Sequence, residues 1–228
     1  MFADAVARIT ESIFPVFYIR AESDLAGVCG TGFFVGDSGL FLTSEHVMAA
    51  PPPGSTMYFY GKTPDQVCDP AVELEPVTSD PGRDLYLGRV ARDYLQPVEL
   101  SDEPLRPGDS VCLSGYPMAS VEISAEAGLV GNVRRYWQPT FVIDEIETVI
   151  AGRTYEGYIV QHPCFSGMSG GPVFDMEGKV RGLAAATLTR TIPAVPGENP
   201  TVVSNAIVID VAHIRGFLEA ALSAAEVG

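Results

Sequence analysis

The segment Ser166-Gly167-Met168-Ser169-Gly170-Gly171-Pro172-Val173 has residue types and spacing suited to nucleophilic chemistry. A serine hydroxyl is a poor nucleophile until a neighbouring base takes its proton. The oxyanion formed by its attack then needs preorganised hydrogen-bond donors. Glycines on both sides of Ser169 let the backbone bend tightly, so that the amides of Gly167 and Ser169 can point at one spot. A plain glycine-rich turn would explain Gly-x-Ser-Gly alone. The longer Gly-x-Ser-Gly-Gly-Pro run, leading into Val173-Phe174, is more specific.

A base must accompany that serine, and the chain has three histidines. His46 follows Gly30-Thr31-Gly32-Phe33-Phe34-Val35 and Leu40-Phe41-Leu42-Thr43-Ser44, so two strands and a turn deliver it to the end of a hairpin. His162, seven residues before Ser169, reads as a pocket wall or a structural residue. His213 falls in a C-terminal helix and reads as solvated. The acid that would orient the imidazole is sought before an apolar strand. Arg83-Asp84-Leu85-Tyr86-Leu87 offers Asp84, which could accept the second ring N–H. Taken alone, Asp84 reads as an exposed loop residue, and Asp80-Pro81-Gly82 reads as a turn.

The elements that must position these residues are short strands. Apolar runs at 16–19, 32–35, 40–42, 57–60, 84–87, 111–113, 141–143, 158–160 and 180–183 are separated by Gly, Pro, Asp and Ser. The 23 glycines and 18 prolines among 228 residues favour turns over long helices, so the pattern predicts an all-β barrel or sandwich without βαβ units. A short helix is expected at 3–12, with Val6, Ile9 and Ile13 at helical spacing. A second runs from Val211 to Ala225, capped by Asp210, with Ile214, Phe217, Leu218 and Leu222 as its apolar stripe. The polar stretch 101–109 reads as a linker between two halves, and Thr191 to Pro200 as a long loop.

Charge and cysteine usage narrow the function classes. The net charge of −15 is spread, −10 over residues 1–105 and −5 over 106–228, without an acidic tail. Nucleic acid and anionic membranes, which need a clustered cationic face, are therefore not the expected partners. No apolar stretch reaches the ~18 residues of a membrane span. The N-terminus, Met1-Phe2-Ala3-Asp4, has an acid where a signal peptide wants lysines, which predicts a cytoplasmic protein. Cys29, Cys68, Cys112 and Cys164 are too far apart for a ready zinc set, and buried free thiols are the expected state.

His46, Asp84 and Ser169, in that order and 38 and 85 residues apart, resemble the trypsin-like (chymotrypsin-clan) serine peptidases. Gly30 to Phe33, Thr43 to Val47, Asp84-Leu85 and the serine motif look most like the bacterial HtrA-like branch. Gly108-Asp109-Ser110-Val111 and Gly178 to Leu183 match that branch's second-barrel strands, so the resemblance spans roughly residues 15–210. It implies two antiparallel six-stranded β-barrels with short terminal helices. Residues 1–105 would carry the first barrel with His46 and Asp84, and 106–228 the second with Ser169. The implied activity is that of a serine endopeptidase. Ser169 would be the nucleophile, His46 the general base then acid, and Asp84 the orienting acid. The Gly167 and Ser169 amides would form the oxyanion hole, with no metal or organic cofactor.

Departures from the family are informative. Val47 and Phe165 stand where secreted relatives have Cys, so their disulfide set is absent. Met168 stands where trypsin has an Asp that pairs with a new N-terminus, so activation by N-terminal insertion is not expected. With about 20 residues after the last barrel strand, the PDZ domain of most HtrA proteins is not expected. The S1 region implied by the family is Pro163, Cys164, Phe165 and Ser166 with Ala184, Ala185 and Ala186. No acid lies between residues 157 and 174, which predicts small or medium apolar side chains rather than Lys or Arg at P1. The substrate would be a protein or peptide. Two other readings stay open: an effector protease activated by a protein partner, and a binding module that keeps the fold with its site closed.

Overall fold

The computed structural model describes residues 1–20, 25–36, 39–59, 72–91, 96–124, 128–193 and 199–226. Tyr60, Cys68 and the centre of the Pro-rich segment, 194–198, lie outside the described residues. Short apolar runs build the first sheet from β1 (Ile13–Arg20), β2 (Leu25–Phe34), β3 (Leu40–Thr43), β4 (Thr56–Phe59), β5 (Val72–Glu73), β6 (Glu75–Asp80) and β7 (Leu85–Arg89). Their order is β5-β4-β1-β2-β3-β7-β6. Only Leu74 separates β5 from β6. It is buried, and its amide donates to the Met57 carbonyl at 2.9 Å. One strand bent at Leu74 thus closes seven segments into a ring of six. Aromatic side chains fill that ring: Phe14 packs on Phe34, Phe59 and Phe41 at centroid distances of 4.5, 4.9 and 5.5 Å.

The second half is a closed barrel of β8 (Ser110–Gly115), β11 (Tyr136–Ile150), β12 (Arg153–Val160), β15 (Thr201–Asp210), β14 (Val180–Ile192) and β13 (Pro172–Phe174). A separate pair, β9 (Ser120–Ser124) with β10 (Gly128–Asn132), follows β8. Both halves are antiparallel, as the resemblance implies. The 15-residue β11 and its partner β12 turn over Ala151 and Gly152 alone, both at positive φ (52° and 82°). Such a two-residue turn matches the twist of its strands.

Three local expectations need correction. The β2–β3 hairpin delivers His46 as expected, but onto a short helix, α2 (Glu45–Ala49), rather than onto the bare hairpin end. The stretch 191–200 is not a loop throughout: β14 runs to Ile192, paired with Thr201 at the start of β15, because Thr189, Thr191 and Val202 carry the ladder right up to the prolines. In the C-terminal helix, α3 (Val211–Glu226), Ile214 is buried, but Leu222 is 49% exposed and lies off the packed stripe. The cap is as read, since Asp210 Oδ1 accepts the Ala212 amide at 2.6 Å. The N-terminal helix, α1 (Ala3–Ile9), gives way to a 3₁₀ turn at Thr10–Ser12. It packs on the second barrel, with Phe2 edge-on to Phe174 at 6.0 Å. Arg135 secures that arrangement by donating to the carbonyls of Thr10 and Ile13 at 2.6 and 3.0 Å.

Cys29, Cys112 and Cys164 are free thiols. Burial pushes Cys29 and Cys112 up to about 12 and Cys164 up to about 11. Raising a thiol's pKa removes its reactive thiolate, leaving about one molecule in a thousand for Cys164 at pH 8. In a Cys68→Ser variant, a thiol-specific chromogenic disulfide at pH 8 should therefore react at least about 100-fold more slowly than with free cysteine, speeding up as the pH rises toward 11. Full-rate reaction of the folded protein at pH 8 would contradict this.

Candidate active site

Asp84 precedes β7 as read, yet it is no exposed loop residue: its side chain has no accessible surface, and its backbone is left-handed at φ 59°. Its carbonyl accepts the Glu45 amide at 3.1 Å, which fixes the start of α2. Its Oδ1 accepts the His46 amide at 3.0 Å. The His46 ring nitrogen Nδ1 lies 2.8 Å from Oδ2 and 3.0 Å from Oδ1. An acceptor-only carboxylate at that distance assigns the ring proton to Nδ1, leaving Nε2 as an acceptor. Asp80, by contrast, stays in its turn and accepts the Arg83 amide.

Two residues from the β11–β12 hairpin complete the environment of Asp84, and sequence reading missed both. The Tyr155 hydroxyl donates to Oδ2 at 3.2 Å, and Arg153 Nε stands 3.4 Å from Oδ1. The same guanidinium donates to Glu45 Oε2 at 2.9 Å. That hydrogen bond first, and the nearby acids next, raise the Arg153 pKa. Burial and then the charge of Asp84 hold the Tyr155 phenol well above its ordinary value, so it remains a donor. Glu45 sits directly before His46. Arg153 and Tyr155 carry no local signal, because the hairpin that delivers them lies about 70 residues further along the chain.

Ser169 stands where the two halves meet. Gly30 has room for no side chain: a Cβ there would lie 2.5 Å from Val47 and 2.8 Å from the Ser169 carbonyl. One at Gly170 would meet Thr43 Oγ1 at 2.1 Å and the Ser44 amide at 2.8 Å. The serine turn therefore abuts the segment that carries His46. The Phe165 carbonyl accepts the Met168 amide at 2.9 Å across a turn whose third residue, Gly167, has φ +93°. That sign is the one a type II turn requires there. Neither the Gly167 nor the Ser169 amide has a hydrogen-bond partner among the described residues. Ser169 Oγ donates to the Ala185 carbonyl at 3.2 Å and lies 3.9 Å from Cys164 Sγ. Among the described residues, no hydrogen bond joins it to His46.

The residues expected around S1 divide into two groups. Cys164 and Ala185 lie beside Ser169 as just described, and the buried Ala184 accepts the Gly170 amide. Thr187, not foreseen, donates to the Cys164 carbonyl and holds it. Pro163 is half-buried between them and the exposed His162, whose amide donates to Thr140 and whose carbonyl accepts the Ala206 amide. Phe165 and Ser166 instead face a cavity of about 370 Å³, shared with Val28, Tyr116, Met118, Ala119, Tyr136 and Gly167. Met168 is fully buried in the second barrel's apolar cluster. His213 is not simply solvated, since its Nε2 pairs with Glu156 at 2.9 Å. No group of three or more His, Cys, Asp or Glu side chains able to hold a metal ion occurs among the described residues.

The family model described as the trypsin-like peptidase domain matches residues 30–183. The chain belongs to the trypsin-like peptidase family. Among curated proteins, the uncharacterized protein y4bJ of Sinorhizobium fredii is 31% identical over 189 residues, covering 82% of this chain and 26% of its own. A probable periplasmic serine endoprotease, DegP-like, from Marinomonas is 27% identical over 163 residues, covering 71% of this chain and 30% of its own. The chain thus spans under a third of the length of these relatives. Among solved structures, the Rv3671c protease from M. tuberculosis in its active form superposes with a TM-score of 0.66 at 21% identity, over 93% of this chain and 81% of that one. Deg5 superposes with 0.65 at 19%, over 92% and 88%. These likenesses establish the trypsin-like fold. No helix among the described residues is long and apolar enough to cross a membrane.

Within this trypsin-like site, Arg153 compensates two acids at once. Arg153→Met should lower unfolding free energy by about 1–3 kcal/mol, because it strands the buried Asp84 and the mostly buried Glu45. Glu45→Gln, which keeps an acceptor, should cost less. Urea denaturation at pH 7 measures both, and an unchanged midpoint for Arg153→Met would mean that the guanidinium contributes nothing there.

Proposed function

We propose that the protein is a serine endopeptidase acting on protein or peptide substrates. The observation that carries this reading is His46, held by Asp84 through Nδ1 with Nε2 left to accept a proton, on a segment that abuts the Ser169 turn. Ser169 Oγ attacks the scissile carbonyl while His46 Nε2 takes its proton. The resulting oxyanion faces the Gly167 and Ser169 amides. Collapse expels the amine, which leaves with the proton from His46, and an acyl-enzyme remains. Water, deprotonated by His46, then attacks the ester; the acid departs and Ser169 is regenerated. Asp84 keeps the imidazole in its tautomer and stabilises the imidazolium. None of these steps calls on a metal or organic cofactor.

A fluorophosphonate probe should label the protein, and Ser169→Ala should abolish labelling. Asp84→Asn should lower kcat by about 10⁴-fold, because the wrong tautomer then faces the serine. Labelling that survives Ser169→Ala would overturn the assignment. Labelling that arises only when a protein partner is added would instead identify a partner-activated protease.

Specificity follows from the small residues beside the serine. Cys164 and the alanines at 184–186 offer an apolar wall, and residues 157–174 carry no acid. Dominant cleavage after small or medium apolar residues such as Val, Ala or Leu is expected in a peptide library, and dominant cleavage after Lys or Arg would refute the assignment. The free thiols at Cys112 and Cys164 support a reducing, cytoplasmic location, which cell fractionation tests against the periplasm named for the DegP-like relatives.

A further inference from the structure

The Gly-Thr-Gly segment before Phe33 is a strand with little room for side chains at its two glycines. Its threonine does more. Thr31 is fully buried, and all three of its polar groups are used at the serine turn or at the strand beside it. Its amide donates to the Ser169 carbonyl at 2.9 Å. Its hydroxyl donates to the Gly167 carbonyl at 2.7 Å and accepts the Tyr116 amide at 3.2 Å. Its own carbonyl accepts the Thr43 hydroxyl at 2.7 Å. One first-barrel residue therefore holds the carbonyls on both sides of Met168, in the second barrel.

We infer that Thr31 is a positioning residue of the oxyanion hole, its hydroxyl fixing the Gly167 carbonyl so that the Gly167 and Ser169 amides converge on the reacting oxygen; this rests on the endopeptidase reading. The argument is one of rigid peptide geometry. Each amide can be aimed only if the neighbouring peptide planes are fixed, since planar peptides leave two soft dihedrals per residue. Gly167, at φ +93°, has no side chain to limit its rotation. The turn's own Met168-to-Phe165 hydrogen bond fixes the N–H end of the Gly167–Met168 peptide. The Thr31 hydroxyl fixes its carbonyl end. The Tyr116 amide reaches that same oxygen only at 3.4 Å, a weaker contact. Without the hydroxyl, the carbonyl loses its short partner, and the turn is released to seek another.

The test compares Thr31→Val, which keeps the shape without the hydroxyl, with Thr31→Ser, which keeps the hydroxyl. Thr31→Val should lower kcat by about 10- to 100-fold with KM within about twofold, since misaimed donors affect the transition state rather than substrate binding. Affinity for a peptide trifluoromethyl ketone, whose adduct is an oxyanion, should fall by the same factor. Thr31→Ser should stay within about threefold of the parent on both measures. Should the Val variant melt too low to assay, Thr31→Ala against Thr31→Ser gives the same contrast. A crystal structure of the hydroxyl-free variant supplies a readout independent of turnover: the Gly167–Met168 peptide should be rotated. An unmoved turn, or parental kcat and ketone affinity, would overturn the inference. If the parent neither cleaves peptides nor takes the fluorophosphonate, the endopeptidase reading fails, while the turn in the variant still decides what Thr31 holds.

Discussion

A carboxylate at zero exposure constrains everything around it, and Asp84 is that group here. Removing such a charge from water costs several kcal/mol unless hydrogen-bond donors and opposite charge replace its hydration. The first barrel supplies two donors, both from His46, with no third among the described residues. Tyr155 and Arg153 come from the second barrel, on a hairpin long enough to reach across. Docking of the two barrels and burial of Asp84 are therefore one event. The hairpin is held in turn by the Thr154 amide, which donates to the Gly82 carbonyl at 2.7 Å. Asp84 also keeps a left-handed backbone, a strain of about 1–2 kcal/mol that persists because its carbonyl and carboxylate are both bonded to the start of α2.

The serine side of the cleft solves a different problem with similar means. There the groups to be buried are backbone carbonyls of a tight turn, and an unpaired buried carbonyl is expensive. Close approach is what lets the first barrel reach them. A Cβ at Gly170 would lie 2.3 Å from the Thr31 carbonyl and 2.1 Å from Thr43 Oγ1, so the serine turn packs against β2 and β3 with no side chain between. Only in that geometry can Thr31 reach across to Gly167 and Ser169. Each barrel thus completes the other's half of the site: Tyr155 and Arg153 cross in one direction, Thr31 in the other.

This reciprocity explains which parts of the protein were legible in its sequence. Ser169, His46 and Asp84 stand in short motifs whose glycines and flanking strands carry a local meaning. Short apolar runs between turn residues mark most barrel strands. The contacts that cross between barrels carry no such mark, since a hydrogen bond between residues 71 apart, such as Tyr155 with Asp84, leaves no periodic trace. Thr31 lay in plain view within its motif, but a threonine in a strand reads equally well as a β-former. The helix under His46 was missed for a similar reason. Five residues are too few to show a helical period, and Glu45 is held there by the Asp84 carbonyl rather than by its own propensity. The extension of β14 to Ile192 was obscured by the prolines that follow it.

The state of Ser169 itself fits this division between scaffold and side chain. Its hydroxyl rests on the Ala185 carbonyl beside the Cys164 sulfur, and in the proposed reaction it must turn to His46 before attack. A change of serine rotamer crosses a small barrier and occurs within nanoseconds. Re-aiming the Gly167 and Ser169 amides would instead break several buried backbone hydrogen bonds at once. The slow and costly part of readiness therefore lies in the turn and in the docking of the two barrels. The nucleophile's own orientation adds little, so control over this site is best exerted on the contacts between barrels.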